Sequence, residues 1–501
     1  MSRAEPLYRP PLDALRLPII GRLLKARRGR LLFQMPLLLI ALLLIYDGFT
    51  GEQLASRNLA TVGAWVHYRG LVILALLLAG NLFCMSCPFT LPRTLAKRWA
   101  GKGKRFPRFL RNKWLAIGGL FLIFWLYEAT DMWASPLLTA WVIVAYFVAA
   151  FALELLFSES PFCKYVCPLG AFNFAYSTLS PLQIGVRDPK TCQSCVGKEC
   201  INGSYSAQPV IVVEPIGEKP PIRHDARGVL GCGTLLYAPQ VKSNMDCTLC
   251  LDCARACPHD NVILGLRSPL RELQRPHSLP KRWDVNFLLV ALAFMGVVNA
   301  FGMVPPVYAL LREMALALGT GAEWLLLLII FFIGSLALPA LLSIGAAWLA
   351  NLLTGRQRRP HGLRDTFAAF APSFVPIGAG IWAAHYGFHF IVGALTIVPV
   401  FHNFLLDHGV TLFGTQVNWQ LGALAEADQF AVVQVILLIG GYLLSLILAR
   451  RIAVREYGPA RAQGAFLPYA LLFLALLLAA FFIFSQPMEM RGTAELDGLL
   501  H

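Results

Sequence analysis

Cys247-x2-Cys250-x2-Cys253-x3-Cys257-Pro258 is the spacing that wraps a polypeptide around a [4Fe–4S] cluster. Such clusters are held by thiolates. The short gaps let three sulfurs converge on one cluster, while the cysteine before proline usually reaches a second. The chemistry indicated is one-electron transfer. A structural zinc site fits less well, because zinc ligand pairs are usually separated by a longer stretch. Upstream stands Cys192-x2-Cys195-x4-Cys200, without a fourth cysteine. Ser204 occupies the place the regular pattern would give it, and the next thiol is Cys232, beyond an insertion containing Pro209, Pro215, Pro220 and Pro221. Crossed-ligand logic then assigns Cys192, Cys195, Cys200 and Cys257 to one [4Fe–4S] cluster, and Cys232, Cys247, Cys250 and Cys253 to another. Were Cys232 only a buried thiol, the second cluster would have an open or non-cysteine position.

Four further cysteines form Cys84-x2-Cys87-Pro88 and Cys163-x3-Cys167-Pro168. Each pair closes a hairpin of two apolar runs, so residues 31–92 and 114–172 read as a degenerate repeat. Two thiols from each half meeting near the repeat axis would make a four-sulfur site suited to a third iron–sulfur cluster, zinc or Cu(I). Two other uses stay open: dithiol redox chemistry and inert structural cysteines.

Beyond residue 284 there is no cysteine, and the candidates for chemistry are histidines. His385 and His389 are four apart and share a helical face, with His402 beyond Pro399. An ionisable residue in a membrane span is by default a functional hypothesis. Two histidines on one face cannot clamp both sides of a haem, so haem b would need another ligand, with His67 the one near a span. A quinone pocket is the competing use: a histidine would exchange the proton accompanying quinol oxidation, and Trp382, Tyr386, Phe388 and Phe390 would enclose the ring. Histidines satisfied by hydrogen bonds between helices are the third. Glu154 is either a proton-handling carboxylate or a side chain snorkelling to the interface.

The elements that must position these residues are membrane spans. Of 501 residues, 57% are hydrophobic and 14% charged, a membrane-protein composition. Apolar runs lie at 31–46, 70–86, 114–133, 136–157, 284–304, 324–350, 366–403, 429–449 and 465–485, most of them near the roughly 20 residues a spanning helix needs. The seventh run, at about 57 Å if helical, is too long for one plain span. Pro372, Pro376 and Pro399 permit a broken helix or a span with a re-entrant piece.

The net charge of +15 comes from basic clusters in alternate loops, which argues against nucleic acid as a partner: residues 22–30, 93–113, 356–364 and 450–461. By the positive-inside rule the N-terminus and the cysteine-rich segment are cytoplasmic, the C-terminus is outside, and nine crossings satisfy every loop. Thiols in a reducing compartment serve as ligands or redox groups rather than disulfides. The basic N-terminal stretch and first run read as a retained anchor, since no small-residue cleavage pattern precedes Asp47.

Cys163-Lys-Tyr-Val-Cys167-Pro-Leu-Gly-Ala171 resembles the CxxxCP(L/F)GA signature of NapH/NosR-type membrane polyferredoxins, a likeness covering residues 31–265. The resemblance implies electron passage between the quinone pool or cytoplasmic donors and an extracytoplasmic redox partner. The chain departs from the pattern in the CxxCP of its first boundary motif, the x4 gap before Cys200, and an added membrane half at 284–485 with no flavin-binding extracytoplasmic domain.

The expected fold is an α-helical polytopic membrane protein of about nine spans with a cytoplasmic two-cluster ferredoxin-like insert, a small α+β unit. Its expected segments are a basic N-terminus (1–30), a four-span domain (31–172), the insert (173–283) and a five-span domain (284–501). The expected function is a bacterial inner-membrane oxidoreductase subunit, quinol-dehydrogenase-like, relaying electrons between the clusters and a membrane site or a redox partner protein. Two other classes share these features: a maturation factor that binds or reduces copper or another metal at the boundary thiols, and a redox-coupled ion transporter.

Overall fold

The computed structural model describes residues 12–26, 28–92, 96, 104–157, 160–204, 228–275, 279–355 and 362–487. The proline-containing insertion 209–221 and several of the basic residues that set the sidedness expectation, Arg27, Arg93, Lys97, Arg98, Lys102, Arg356, Arg358 and Arg359 among them, lie outside the described residues.

The chain is a helical, multi-pass membrane protein. Its long elements are α1 (Gly29–Thr50), α2 (Leu59–Leu78), α3 (Leu82–Ser86), α4 (Trp114–Ala129), α5 (Pro136–Leu156) and α6 (Pro168–Tyr176). The cysteine-rich segment adds β1 (Leu182–Val186), α7 (Pro189–Ser194), α8 (Glu199–Asn202), α9 (Asp252–Ala256) and β2 (Val262–Leu266). There follow α10 (Trp283–Phe301), α11 (Pro306–Leu318), α12 (Glu323–Thr354), α13 (Leu363–Gly393), α14 (Ile397–Asp407), α15 (Ala427–Tyr457) and α16 (Ala462–Phe484).

Among the described residues eight helices are long and apolar enough to span a bilayer, and α4 and α14 are shorter apolar helices. The third run yields α4, which at 16 residues is about 24 Å long, short of the roughly 30 Å hydrocarbon core. It stops because Asp131 takes a left-handed φ of 46°. The second run is displaced: α2 begins at Leu59, well before residue 70, and ends ahead of Gly80. Gly80 turns the chain at φ +84°, and a Cβ there would meet Ser180 Oγ at 2.2 Å. The seventh run is a helix that passes Pro372 through one 3-10 turn, Ala371–Ser373, breaks at 394–396, and resumes as α14. The amphipathic α11 was not anticipated from the apolar runs.

Two compact units divide the chain, and neither is a continuous segment: residues 1–41, 75–112 and 144–272 form one, and 42–74, 113–143 and 273–501 the other. The first unit centres on an antiparallel pair, β1 and β2, in the register Leu182↔Leu266 to Val186↔Val262. Ile184, Val186, Val262 and Leu264 pack with Leu249, Leu251 and Met85 into one apolar cluster that also takes in Cys200, Cys247 and Cys253. The core of the second unit is α10 and α13, whose apolar windows are 89% and 94% buried. Helix α13 crosses α15 at small residues: a Cβ on Gly380 would stand 2.5 Å from the Leu437 carbonyl oxygen and 3.4 Å from Gly441 Cα, the close backbone approach that favours packing in lipid.

Candidate functional site

In the first unit the twelve thiols fall into three groups of four. Cys192, Cys195 and Cys200 have Cys257 as their neighbour, and these four line an open-sided pocket together with Tyr237 and Asn261. Cys247, Cys250 and Cys253 have Cys232 as theirs. Cys84, Cys87, Cys163 and Cys167 make the third group. All twelve are free thiols.

Local chain geometry explains how such short loops can present so many sulfurs. Lys198 (φ 45°), Leu249 (φ 49°) and Leu251 (φ 60°) adopt left-handed conformations, which are unusual for side chains with a Cβ and genuinely strained for bulky ones. Each lies between two of these cysteines and reverses the chain. The amides of Ala238 and Leu249 reach Cys200 and Cys247, and Leu236 N donates to Cys232 Sγ at 3.3 Å. One side chain adds to this: Asn261 Nδ2 donates to Cys192 Sγ at 3.1 Å. Cys195 differs, its thiol donating to a Glu199 carboxylate oxygen at 3.3 Å. Hydrogen bonds to sulfur are a main determinant of iron–sulfur reduction potential. Burial, with the neighbouring thiols adding, pushes the Cys200 thiol up to about 11, so ligation there must displace a proton.

The third group is built at the ends of helices. Cys84 lies in α3 and Cys87 just after it; Cys163 lies in the π turn Phe162–Val166, and Cys167 begins α6. Asn173 Nδ2 donates to Cys84 Sγ at 3.4 Å, and Gly170 N to Cys167 Sγ at 3.2 Å. Gln34 Nε2 donates to the Cys87 carbonyl at 2.9 Å, and Arg30 Nε to that of Met85 at 2.8 Å. Glu154, buried, accepts from Ser160 Oγ at 3.0 Å.

Among the described residues no three His, Cys, Asp or Glu side chains converge tightly enough to hold a single metal ion.

The second unit holds a different kind of site. Arg69, only 8% exposed, lies inside α2. Its guanidinium is enclosed by the rings of Tyr127 (4.2 Å), Trp65 (4.5 Å) and Tyr386 (5.1 Å), a cation–π cage, and lies within electrostatic reach of Glu128, His385 and His389. His385 is fully buried, and among the described residues neither of its ring nitrogens has a hydrogen-bond partner, nor do His389 Nε2 and Asn299 Nδ2. The two imidazoles are 5.1 Å apart between centroids, and Tyr386 Oη donates to Asn299 Oδ1 at 3.5 Å.

The sequence pattern missed Arg69, because a charged residue interrupted the second apolar run and was read as its edge. Other expected members stand elsewhere. His67 meets two backbone carbonyls, those of Val62 and Ala394, each at 3.0 Å. A carbonyl can only accept, so His67 offers iron no lone pair without breaking one of these bonds. His402 meets the Gly414 carbonyl at 3.0 Å. The four aromatic residues do not form one box: Phe390 packs on His67, Phe388 flanks His389, and Trp382 stacks on Phe124 and donates to the Leu292 carbonyl at 2.9 Å. Tyr386 alone joins the arginine cage.

Comparison with protein-family models, with curated proteins and with solved structures finds no match to this chain.

Proposed function

We propose that this protein is a membrane-embedded electron-transfer protein, an oxidoreductase subunit that exchanges electrons between thiol-bound iron–sulfur clusters and quinol or quinone. The observation that carries the proposal is the grouping of the first eight thiols: Cys192, Cys195, Cys200 and Cys257 around one space, and Cys232, Cys247, Cys250 and Cys253 together. Each group would hold one [4Fe–4S] cluster, which supplies reversible one-electron storage when bound. Short helices, left-handed turns and the β1–β2 pair support the view that this segment is a ferredoxin-like unit, and the basic loops support its placement on the cytoplasmic face of a bacterial inner membrane. The resemblance to NapH/NosR-type polyferredoxins agrees with this direction of function.

Arg69, His385 and His389 are the proposed quinone site. The caged guanidinium and the buried imidazoles are suited to the oxygens of a quinone head group, and an imidazole can take the proton released when quinol is oxidised. Quinol yields two electrons and two protons. The electrons would leave singly to clusters held by the thiols, and the protons would leave by way of the histidines. Iron and acid-labile sulfide analysis of the purified chain should give at least about eight of each, and added duroquinol should bleach the visible iron–sulfur absorption. Fewer than about eight irons, or clusters that quinol leaves oxidised while dithionite reduces them, would overturn the proposal.

A further inference from the structure

We infer that Cys84, Cys87, Cys163 and Cys167 hold a third [4Fe–4S] cluster, in electronic contact with the second. The inference rests on the reading that the first two quartets hold clusters. By spacing alone, the CxxCP and CxxxCP pairs are equally compatible with one zinc or copper ion, a dithiol couple or inert thiols. Two observations favour a cluster: the likeness of this quartet to the other two, and its connection to the second.

The third quartet is equipped like the other two. Its thiols neighbour one another, and its sulfurs receive N–H groups from Asn173 and Gly170 and from the Phe89 amide at Cys87. Donors aimed at sulfur stabilise thiolate charge, which every one of these uses except inert thiols requires. Of the four, Cys87 and Cys167 are buried, and Cys84 and Cys163 are half-buried.

The quartet is also wired to its neighbour. Asn81, 0% exposed, interacts with the Cys84 thiol and donates through Nδ2 to the Cys247 carbonyl at 3.1 Å, joining a thiol of the third group to the backbone of the second. Lys164, between Cys163 and Cys167, donates through Nζ to the Thr234 carbonyl at 2.7 Å, and Thr234 Oγ1 lies 3.4 Å from Cys232 Sγ. On the other side, the Cys232 amide donates to the Cys200 carbonyl at 2.9 Å, joining the second group to the first. The three sites therefore stand in the order first, second, third. An electron moving between them makes and breaks no bond and needs no proton.

The test is iron and sulfide stoichiometry with Mössbauer spectroscopy of the intact wild-type chain, backed by the double variant Cys84→Ser/Cys163→Ser. The expected result is about twelve irons per chain in three equal [4Fe–4S] components, with about four irons lost in the variant and the other two components retained. About eight irons in two components in the wild type would overturn the inference while leaving the proposed function standing; fewer than about eight would overturn both. The wild-type spectrum decides the matter even if the variant does not fold.

Discussion

The thiol region and the histidine region treat buried polar atoms in opposite ways. In the first, Asn81 and Asn244 each leave one oxygen over but commit their amide N–H groups to carbonyls, and the sulfurs meet N–H donors. In the second, His385 commits neither nitrogen, and Arg69 is surrounded by ring faces. An unsatisfied buried polar group costs about 1–3 kcal/mol. A site for a resident group can be satisfied by the chain around it, whereas a site for a visiting molecule must stay open until the visitor arrives. On this view the thiols hold something permanent and the Arg69–His385–His389 cluster receives something transient.

The most severe break is expected at Arg69. Arg69→Met keeps the side chain's bulk and removes the charge in the aromatic cage. Loss of one pre-aimed donor at a reacting oxygen typically costs about 100-fold or more. Stopped-flow measurement should show quinol-driven cluster reduction slowed by about that factor, with dithionite reduction and iron content unchanged. A rate within about threefold of wild type would remove Arg69 from the site, and the distinction between resident and transient would lose its main support.

A matched pair of substitutions probes the same distinction through stability. His385→Phe replaces unpartnered nitrogens with carbon, so it should raise thermal stability, by about 1 kcal/mol, while impairing quinol oxidation. Asn81→Leu removes the donor to the Cys247 carbonyl and should destabilise by about 1–3 kcal/mol. Melting of the two variants in one detergent gives the comparison. The same sign for both would mean that His385 is an ordinary packed histidine whose partner is supplied in the membrane.

What could be read from the sequence follows the range over which each signal acts. Spacing within one loop is local, and Cys247 to Cys257 could be understood without a fold. The pairing of β1 with β2 joins positions about 80 residues apart, and no local pattern encodes that; the approach of Cys84 to Cys163 could be expected only because each closes one half of a repeat. Apolar runs located the long helices but misplaced their ends. Hydropathy sees Arg69 and His67 as an interruption, whereas the structure keeps them inside α2 by enclosing the guanidinium in aromatic rings and giving His67 two carbonyls. The residue that hydropathy discarded is the one on which the proposed quinone site depends. The aromatic residues around His389 were grouped by nearness in sequence, yet on one helix Phe388, Phe390 and Trp382 point in different directions.

Arg30 offers the finest test, within the thiol region itself. Its guanidinium donates to the Met85 carbonyl at 2.8 Å and to Thr90 Oγ1 at 2.9 Å, lies 3.5 Å from an Asp252 carboxylate oxygen, and is within electrostatic reach of Cys84, Cys87 and Cys250. It therefore stands between the second and third quartets, while the interactions found for the first quartet do not include it. A positive charge beside a cluster favours its reduced form. Arg30→Gln should then lower two reduction potentials by on the order of 50 mV, about 1 kcal/mol for one electron, and leave the third unchanged; Arg30→Lys should restore most of the shift. Potentiometric titration followed by electron paramagnetic resonance resolves the components. A uniform shift of all three would indicate a general loosening of the unit, and a shift of one alone would separate the second quartet from the third and undo the order of the relay.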